Sequence, residues 1–259
     1  MSPATGSCTH NCVFCWRAGN FSEIEVADPD APGEVVEASI SAQREIVSGF
    51  GGEARADRKK WDEAREPKHV AISLSGEPFS YPDLGGLIGA YAEKGLTTFV
   101  VTNGTFPERI AALQTLPTQL YISLVAPDEQ TYAGICAPLI SDGWKRFNES
   151  LEIMRSLDCR RTIRMTMVKG INMADAEGYA KLIRKAEPEF VEVKSYMHRG
   201  SSIHRLTPAH MPTHAETAEF AGKVALASGY LLTDESAPSR VALLCRDEKA
   251  AKKRVMKFD

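Results

Sequence analysis

The chain has 259 residues, of which 43% are hydrophobic and 25% are charged, values typical of a globular protein with one large core. No apolar run approaches the ~20 residues of a membrane span, and the N-terminus does not resemble a signal peptide, so we expect a soluble, cytoplasmic protein. The net charge of -3 excludes a uniformly basic nucleic-acid-binding protein. Any contact with RNA would therefore need local basic patches.

Three of the six cysteines, Cys8, Cys12 and Cys15, have the spacing C-x3-C-x2-C near the N-terminus. Ferredoxin sites and structural zinc sites normally use four protein ligands, whereas three thiolates on one loop leave the fourth iron of a 4Fe-4S cluster open. This spacing, with an aromatic residue before the third cysteine, is typical of radical S-adenosylmethionine (SAM) enzymes, in which SAM binds the open iron. Two alternatives are zinc, with His10 or a distant histidine as the fourth ligand, and three unrelated reduced thiols.

Further along the chain, short apolar runs alternate with amphipathic stretches of helical period. This alternation predicts parallel strands joined by right-handed crossovers. We expect an α/β fold, a partial (β/α)6-type radical SAM barrel with parallel strands. A single domain would cover residues 1–259, with a C-terminal extension of about 206–259 packed on the barrel. Strands are predicted at residues 69–75, 97–102, 119–125, 162–168 and 190–196, and helices around residues 36–50, 144–157 and 220–225.

Polar residues lie where the first three predicted strands end. In a parallel barrel the active site is at the C-terminal ends of the strands, so these residues are candidates for the SAM pocket. Glu77, in the segment SGEP, could accept a hydrogen bond from the SAM ammonium group, or it could merely favour a helix N-terminus. Asn103 could equally be part of a turn, and Ser123 is a weak signal when taken alone.

The fifth predicted strand places Glu192 and Lys194 on one face, while the valines occupy the other. Unpaired charges inside a barrel are costly. We therefore expect Glu192 and Lys194 to pair with each other, with Arg164 of the preceding strand, or with a polar ligand. Both are candidate catalytic residues, and a purely structural ion pair is the alternative.

A loop rich in histidine and arginine follows this strand at the same rim, and it could receive a phosphate or an RNA backbone. An exposed polar loop without function is the alternative. The two residues after the third clustered cysteine could stack on a splayed base or pack over the cluster. The candidate RNA-binding residues are Trp16, Arg17, His198, Arg199, His204 and Arg205.

Taken in order, six segments resemble the tRNA 4-demethylwyosine synthase family over residues from about Cys8 to beyond Phe220: CTHNCVFCWR, SLSGEP, VVTNGT, LYISLVAPD, MTMVKGIN and EVKSYMHRGSS. The resemblance implies a radical SAM enzyme of the carbon–carbon lyase type. Such an enzyme converts 1-methylguanosine-37 of tRNA(Phe) and pyruvate to 4-demethylwyosine and formate through a 5'-deoxyadenosyl radical. It also implies one open 4Fe-4S cluster on the three clustered cysteines, an external electron donor such as flavodoxin or ferredoxin, and a monomer.

The chain differs from the family pattern at its beginning, because only seven residues precede Cys8. Family members carry an N-terminal segment with three cysteines for a second 4Fe-4S cluster and a lysine proposed to form a Schiff base. We expect this segment, and with it the ligands of the second cluster, to be missing through truncation or a misassigned start. The scattered Cys136, Cys159 and Cys245 are expected to be buried or incidental thiols, and Lys194 is the best internal candidate for an amine that faces substrate. Two other classes remain open, a glycyl-radical activase and a non-catalytic zinc-containing RNA-binding protein.

Overall fold

The computed structural model describes residues 6–18 and 21–256, and these residues form a seven-stranded sheet. The first five strands are parallel and adjacent in chain order, and the last two are antiparallel, with β7 beside β5. The strands are β1 (His69–Ile72), β2 (Thr97–Thr102), β3 (Gln119–Ser123), β4 (Arg160–Met167), β5 (Phe190–Ser195), β6 (Leu231–Ser236) and β7 (Val241–Cys245).

The mostly parallel α/β fold confirms the predicted fold class, and each predicted strand coincides with one of β1 to β5. The two antiparallel strands, β6 and β7, were not among the predicted strands. Residues 237–240 join these two strands, and so short a connection can only produce an antiparallel pair. The sequence did not reveal β6 because nearly all of its residues are exposed, so that it lacks the alternation of a half-buried strand.

Nine α-helices lie among the described residues, and the three predicted from helical periodicity correspond to α1, α6 and α8. Aspartates begin several of them: Asp128, for example, accepts a hydrogen bond from Thr131 N at the start of α5. The helices are α1 (Pro32–Ser48), α2 (Arg58–Arg65), α3 (Leu84–Glu93), α4 (Pro107–Ala111), α5 (Glu129–Cys136), α6 (Gly143–Met154), α7 (Ala176–Ala186), α8 (His214–Ser228) and α9 (Glu248–Lys252).

The core lies between the helices and the outer face of the sheet. One hydrophobic cluster joins α6, α7 and α8 to β3, β4, β5 and β7, and a second joins α1 and α3 to β1, β2 and β3. Side chains alternate along β4 and β5, so that Val191 and Val193 are fully buried while Glu192 and Lys194 are half-buried. The inner face of the sheet is therefore left polar.

The C-terminal part of the chain joins the same sheet, because β7 is hydrogen-bonded along β5 and α8 packs against α7. The proposed boundaries, one domain over 1–259 with an extension from about 206, stay a prediction. None of the helices in the described residues is both long and apolar enough to cross a membrane.

Candidate active site

A cavity of about 590 Å³ lies at the C-terminal edge of the parallel strands. The structure brings most of the predicted site residues to its wall, from segments far apart in the chain. The wall includes Cys8, Cys12, Cys15, Trp16, Glu77, Asn103, Ser123, Lys194 and Arg199. Arg17, Glu192, His198, His204 and Arg205 are not part of it.

The cysteine loop, residues 8–15, is held against the end of α5 by backbone hydrogen bonds. Asn11 N donates to Cys136 O at 3.1 Å, and Val13 N donates to Ile135 O at 2.9 Å. Within the loop, Cys15 N donates to Cys12 O at 3.0 Å. These bonds fix the loop in the protein itself, so that the three thiols line one cavity before any ligand binds.

All three clustered thiols have a raised pKa. Burial is the main cause for Cys8 and Cys15, whereas for Cys12 a hydrogen bond with Cys136 comes first and burial second. A bound metal reverses this preference, because its positive charge stabilises the thiolate. Cys136, at the end of α5, also lines the cavity, but the loop itself carries only three sulfur donors, which fits a 4Fe-4S cluster that has an open iron.

Glu77 places a buried carboxyl group at the cavity, with only 1% of the residue exposed. Its Oε1 accepts hydrogen bonds from Thr102 Oγ1 at 2.6 Å and from Phe79 N at 3.1 Å, and its Oε2 accepts from Asn103 N at 2.7 Å. Burial raises the pKa of Glu77 to about 7 in spite of these bonds. A cation bound nearby would favour the ionised form, so Glu77 is a fixed acceptor suited to an ammonium group.

Asn103 connects the end of β2 to the cysteine loop. Its Nδ2 donates to Thr9 Oγ1 at 2.8 Å and lies 3.8 Å from Cys8 Sγ, while its Oδ1 accepts from Thr105 N at 3.0 Å. Ser123 lies at the cavity half-buried, and its hydroxyl has no hydrogen bond to the described residues. Asn103 is thus committed to positioning the loop, whereas Ser123 is available to a ligand.

The charges on β5 have different environments. Glu192 accepts from Arg164 Nε at 2.9 Å and from Tyr121 Oη at 3.3 Å, and its carboxylate lies 2.8 Å from Arg164 Nη2. Burial and the neighbouring Glu192 raise the pKa of Tyr121 to about 12. Lys194 lines the cavity and has neither an ion pair nor a hydrogen bond from its side chain to any described residue. Of the pairings predicted, the structure shows Glu192 with Arg164 and leaves Lys194 to a ligand.

The loop after β5, residues 197–206, packs on the cysteine loop. Arg205 donates from Nε to Val13 O at 3.1 Å and from Nη1 to Ala18 O at 3.0 Å, and its Nη2 donates to Cys15 O. Ser201 N also donates to the Trp16 carbonyl oxygen at 2.8 Å. The guanidinium group of Arg205 is therefore hydrogen-bonded to the cysteine loop and its next residues, and its assignment to RNA stays a prediction. The sequence contained no signal for this role.

The other predicted RNA-binding residues differ in exposure. Trp16 is 48% exposed, and the guanidinium carbon of Arg17 lies 4.1 Å from the centre of its ring. Arg199 and His204 are exposed, and the described residues make no side-chain hydrogen bond with either. His198 is half-buried, with Nε2 3.0 Å from Leu206 O. Trp16 and Arg199 are thus the exposed pair at the mouth of the cavity.

Comparisons with known proteins identify the family of the chain. The family model described as the Radical SAM superfamily matches residues 2–183, and that of Wyosine base formation matches residues 185–246. The S-adenosyl-L-methionine-dependent tRNA 4-demethylwyosine synthase of Pyrococcus abyssi is 50% identical over 254 residues, which are 96% of this chain and 74% of the relative. The same enzyme of Methanocaldococcus jannaschii is 40% identical over 250 residues, or 94% of this chain and 79% of the relative.

Two solved structures are also similar. One, described as TYW1 with a lysine-pyruvate adduct bound, has a TM-score of 0.84 and 39% identity over 95% of this chain and 78% of its own. Another, an archaeal TYW1, has a TM-score of 0.74 and 38% identity over 87% of this chain and 74% of its own. These matches confirm the family predicted from the sequence and the radical SAM fold. The chain belongs to the S-adenosyl-L-methionine-dependent tRNA 4-demethylwyosine synthase family, radical SAM enzymes of wyosine formation in tRNA.

Proposed function

We propose that the chain converts 1-methylguanosine-37 of tRNA(Phe) and pyruvate to 4-demethylwyosine, with release of formate. We also propose that Cys8, Cys12 and Cys15 hold a 4Fe-4S cluster whose open iron binds SAM. When bound and reduced, the cluster and SAM supply a 5'-deoxyadenosyl radical able to take a hydrogen atom from the methyl group of the base. The observation that carries the proposal is the convergence of three thiols, a buried carboxyl and an unpaired lysine on one cavity.

On the cysteine side of the cavity, Glu77 is the acceptor for the SAM ammonium group. Its carboxylate cannot rotate freely, because Thr102 and Asn103 hold both of its oxygens. A fixed acceptor costs little reorganisation when the ligand binds. Ser123 supplies a free hydroxyl to the ligand, and Asn103 keeps the cysteine loop in place.

On the strand side of the cavity, Lys194 is the group for pyruvate. Of the lysines in the described residues, only Lys194 lines the cavity. The Glu192 carboxylate neutralises Arg164, so the Lys194 ammonium, like the exposed Arg199, has no partner among the described residues and is available to a carboxylate. As a neutral amine it can also add to the keto group of pyruvate, forming an imine with loss of one water. The related TYW1 structure described with a lysine-pyruvate adduct is a precedent for lysine-pyruvate chemistry in the family, in which the proposed Schiff-base lysine lies in the N-terminal segment.

For the RNA, we assign the exposed Trp16 as a stacking surface for a splayed anticodon-loop base. Arg17 and Arg199 supply positive charge for phosphates, His204 is an exposed polar contact on the same loop as Arg199, and His198 supports that loop. We further propose that the enzyme acts in the cytoplasm as a monomer and takes its electrons from a separate flavodoxin or ferredoxin.

The first test is the content of iron, sulfide and zinc after anaerobic reconstitution, with electron paramagnetic resonance spectra before and after SAM is added. The proposal expects about four irons per chain and a spectrum that SAM changes. Replacing any clustered cysteine by alanine should abolish both, while Cys159→Ala, a distant half-buried thiol, should change neither. Zinc without iron, in protein freed of zinc before reconstitution, would contradict the proposal.

The second test separates tRNA chemistry from other radical SAM reactions. With tRNA containing 1-methylguanosine, pyruvate and a reductant, the protein should yield formate and the tricyclic base by mass spectrometry. Borohydride reduction with pyruvate should add the mass of the trapped adduct to the wild type but not to Lys194→Met. Lys181→Met, which removes an exposed lysine of α7, is the matched control and should still be trapped at Lys194. SAM cleavage without tRNA product would place the chain in another radical SAM class.

A further inference from the structure

A second set of metal-ligand side chains lines the same cavity, two from the cysteine loop and one from the end of α5. His10, Cys12 and Cys136 each place one ligand atom within 4.8 Å of the other two. In the described part of the chain, this is the one group of three or more histidine, cysteine or acidic residues placed to hold a metal ion. His10 and Cys136 are buried, and Cys12 is half-buried. None of these positions depends on Cys8 or Cys15.

The backbone holds this group together without any metal. Cys136 is the last residue of α5, and Ala137 ends the helix with a left-handed φ of 42°. The carbonyl groups at this helix end accept the two hydrogen bonds from the cysteine loop described above, and His10 pairs with Pro138 in an isolated β-bridge. The segment carrying His10 and Cys12 is therefore bound to the segment carrying Cys136.

The donor set has the chemistry of a zinc site. Two sulfurs and one imidazole nitrogen are ligands that zinc accepts in tetrahedral geometry, with a fourth position for water. An ion at the centre of a triangle with 4.8 Å edges would lie about 2.8 Å from each atom, and bond lengths of roughly 2.0–2.3 Å need only small side-chain shifts. The Tyr132 hydroxyl lies 2.7 Å from His10 Nε2, an outer hydrogen bond of the kind that orients a metal-bound imidazole through its other nitrogen.

We propose that, in the cluster-free protein, His10, Cys12 and Cys136 bind one thiophilic divalent ion such as Zn²⁺. Because Cys12 belongs to both sites, this ion and the 4Fe-4S cluster exclude each other. Zinc occupancy therefore blocks cluster assembly until the ion is removed. Only this exclusion rests on the proposed function; binding of the ion does not.

The binding test uses the cluster-free full chain, reduced and handled anaerobically, with Co²⁺ as the spectroscopic probe. We expect one Co²⁺ per chain, with thiolate charge-transfer bands and the ligand-field bands of a tetrahedral site, displaced by one equivalent of Zn²⁺. Cys136→Ala and His10→Ala should weaken Co²⁺ binding at least about tenfold. Cys8→Ala and Cys15→Ala should bind Co²⁺ as the wild type does, and Cys159→Ala controls for loss of a thiol elsewhere.

The proposal is wrong if Cys8→Ala or Cys15→Ala loses the Co²⁺ spectrum while Cys136→Ala keeps it, because the ion would then sit on the cluster motif. It is also wrong if all variants bind alike. Circular dichroism melts identify a variant that fails to fold, and conservative Cys136→Ser and His10→Asn variants then replace it.

The exclusion test measures iron uptake during reconstitution with and without one equivalent of Zn²⁺. Zinc should suppress iron uptake by the wild type but not by Cys136→Ala, in which the three cluster cysteines are intact. Equal suppression in both proteins would refute the exclusion. A wild type that takes up no iron even without zinc would instead contradict the proposed function, while the Co²⁺ result would still stand.

Discussion

The most specific prediction concerns Arg205, because its single side chain holds the backbone of the cysteine loop. Its guanidinium group donates to the carbonyls of Val13, Cys15 and Ala18, and a fourth hydrogen bond, to Arg17 O, is long at 3.4 Å. In Arg205→Ala these carbonyls regain water, so each bond is worth about 1 kcal/mol net and the three about 3 kcal/mol. The ratio of the ordered loop to its open forms should then fall about a hundredfold.

The assay is the rate at which the reconstituted protein loses iron to a chelator under anaerobic conditions. Arg205→Ala should lose iron tens to about a hundred times faster than the wild type, because open forms of the loop become about a hundred times more populated relative to the ordered form. Arg205→Lys should be intermediate, because an ammonium group cannot reach three carbonyls at once. Arg199→Ala, an exposed arginine of the same loop, should retain iron but bind tRNA more weakly. If Arg205→Ala retains iron as the wild type does, the loop does not need the arginine and the reasoning fails.

Three further predictions concern the fold around the site. Gly200 has a φ of 56°, and in Gly200→Ala the new Cβ would collide with a backbone oxygen, so thermal melts should show a loss of about 2–3 kcal/mol in the free energy of unfolding. Gly229 has a φ of 78° but no atom within 4 Å of the new Cβ, so Gly229→Ala should lose only about 1 kcal/mol. Burial opposes ionisation of Glu189, but its hydrogen bonds and ion pair with Arg161 win and lower its pKa. The ionised Glu189 therefore stabilises the fold above its unfolded pKa of about 4.3, and this stabilisation is lost as the pH falls through the folded pKa. In urea unfolding, the free energies of unfolding of wild type and Glu189→Gln should differ far more at pH 7 than at about pH 3. Asn172→Ala leaves two buried backbone groups and one half-buried backbone group without their partner and should cost about 3 kcal/mol in the same urea assay.

The parallel part of the fold was predictable because the five strands are apolar runs of strand length that alternate with helical periodicity. The antiparallel hairpin was not, because β6 is mostly exposed and β7 owes its place to pairing with β5. Whether a short apolar run becomes a parallel or an antiparallel strand depends on its tertiary neighbours, which the local sequence does not specify.

The candidate site, like the fold, was predictable from the sequence only in part. The spacing of the three clustered cysteines is local, so the sequence alone predicts the metal chemistry. The roles of Arg205 and Cys136 depend on contacts with residues more than 100 positions away in the chain, and neither lies in a pattern that marks it. Cys136 was expected to be a buried or incidental thiol. It is buried, but its place beside Cys12 could only be seen in the folded chain.

Residues of opposite charge line different parts of the cavity. At the cysteine end, a buried acid, Glu77, is fixed by hydrogen bonds from β2 and its following turn. At the strand end, the ion pair of Glu192 with Arg164 removes one cation and leaves Lys194 unpaired. An ammonium ligand is thus favoured beside the thiols and a carboxylate ligand beside the lysine, because each would meet an opposite charge in partly desolvated surroundings. The same cavity therefore carries an acceptor for an ammonium group and a cation for a carboxylate.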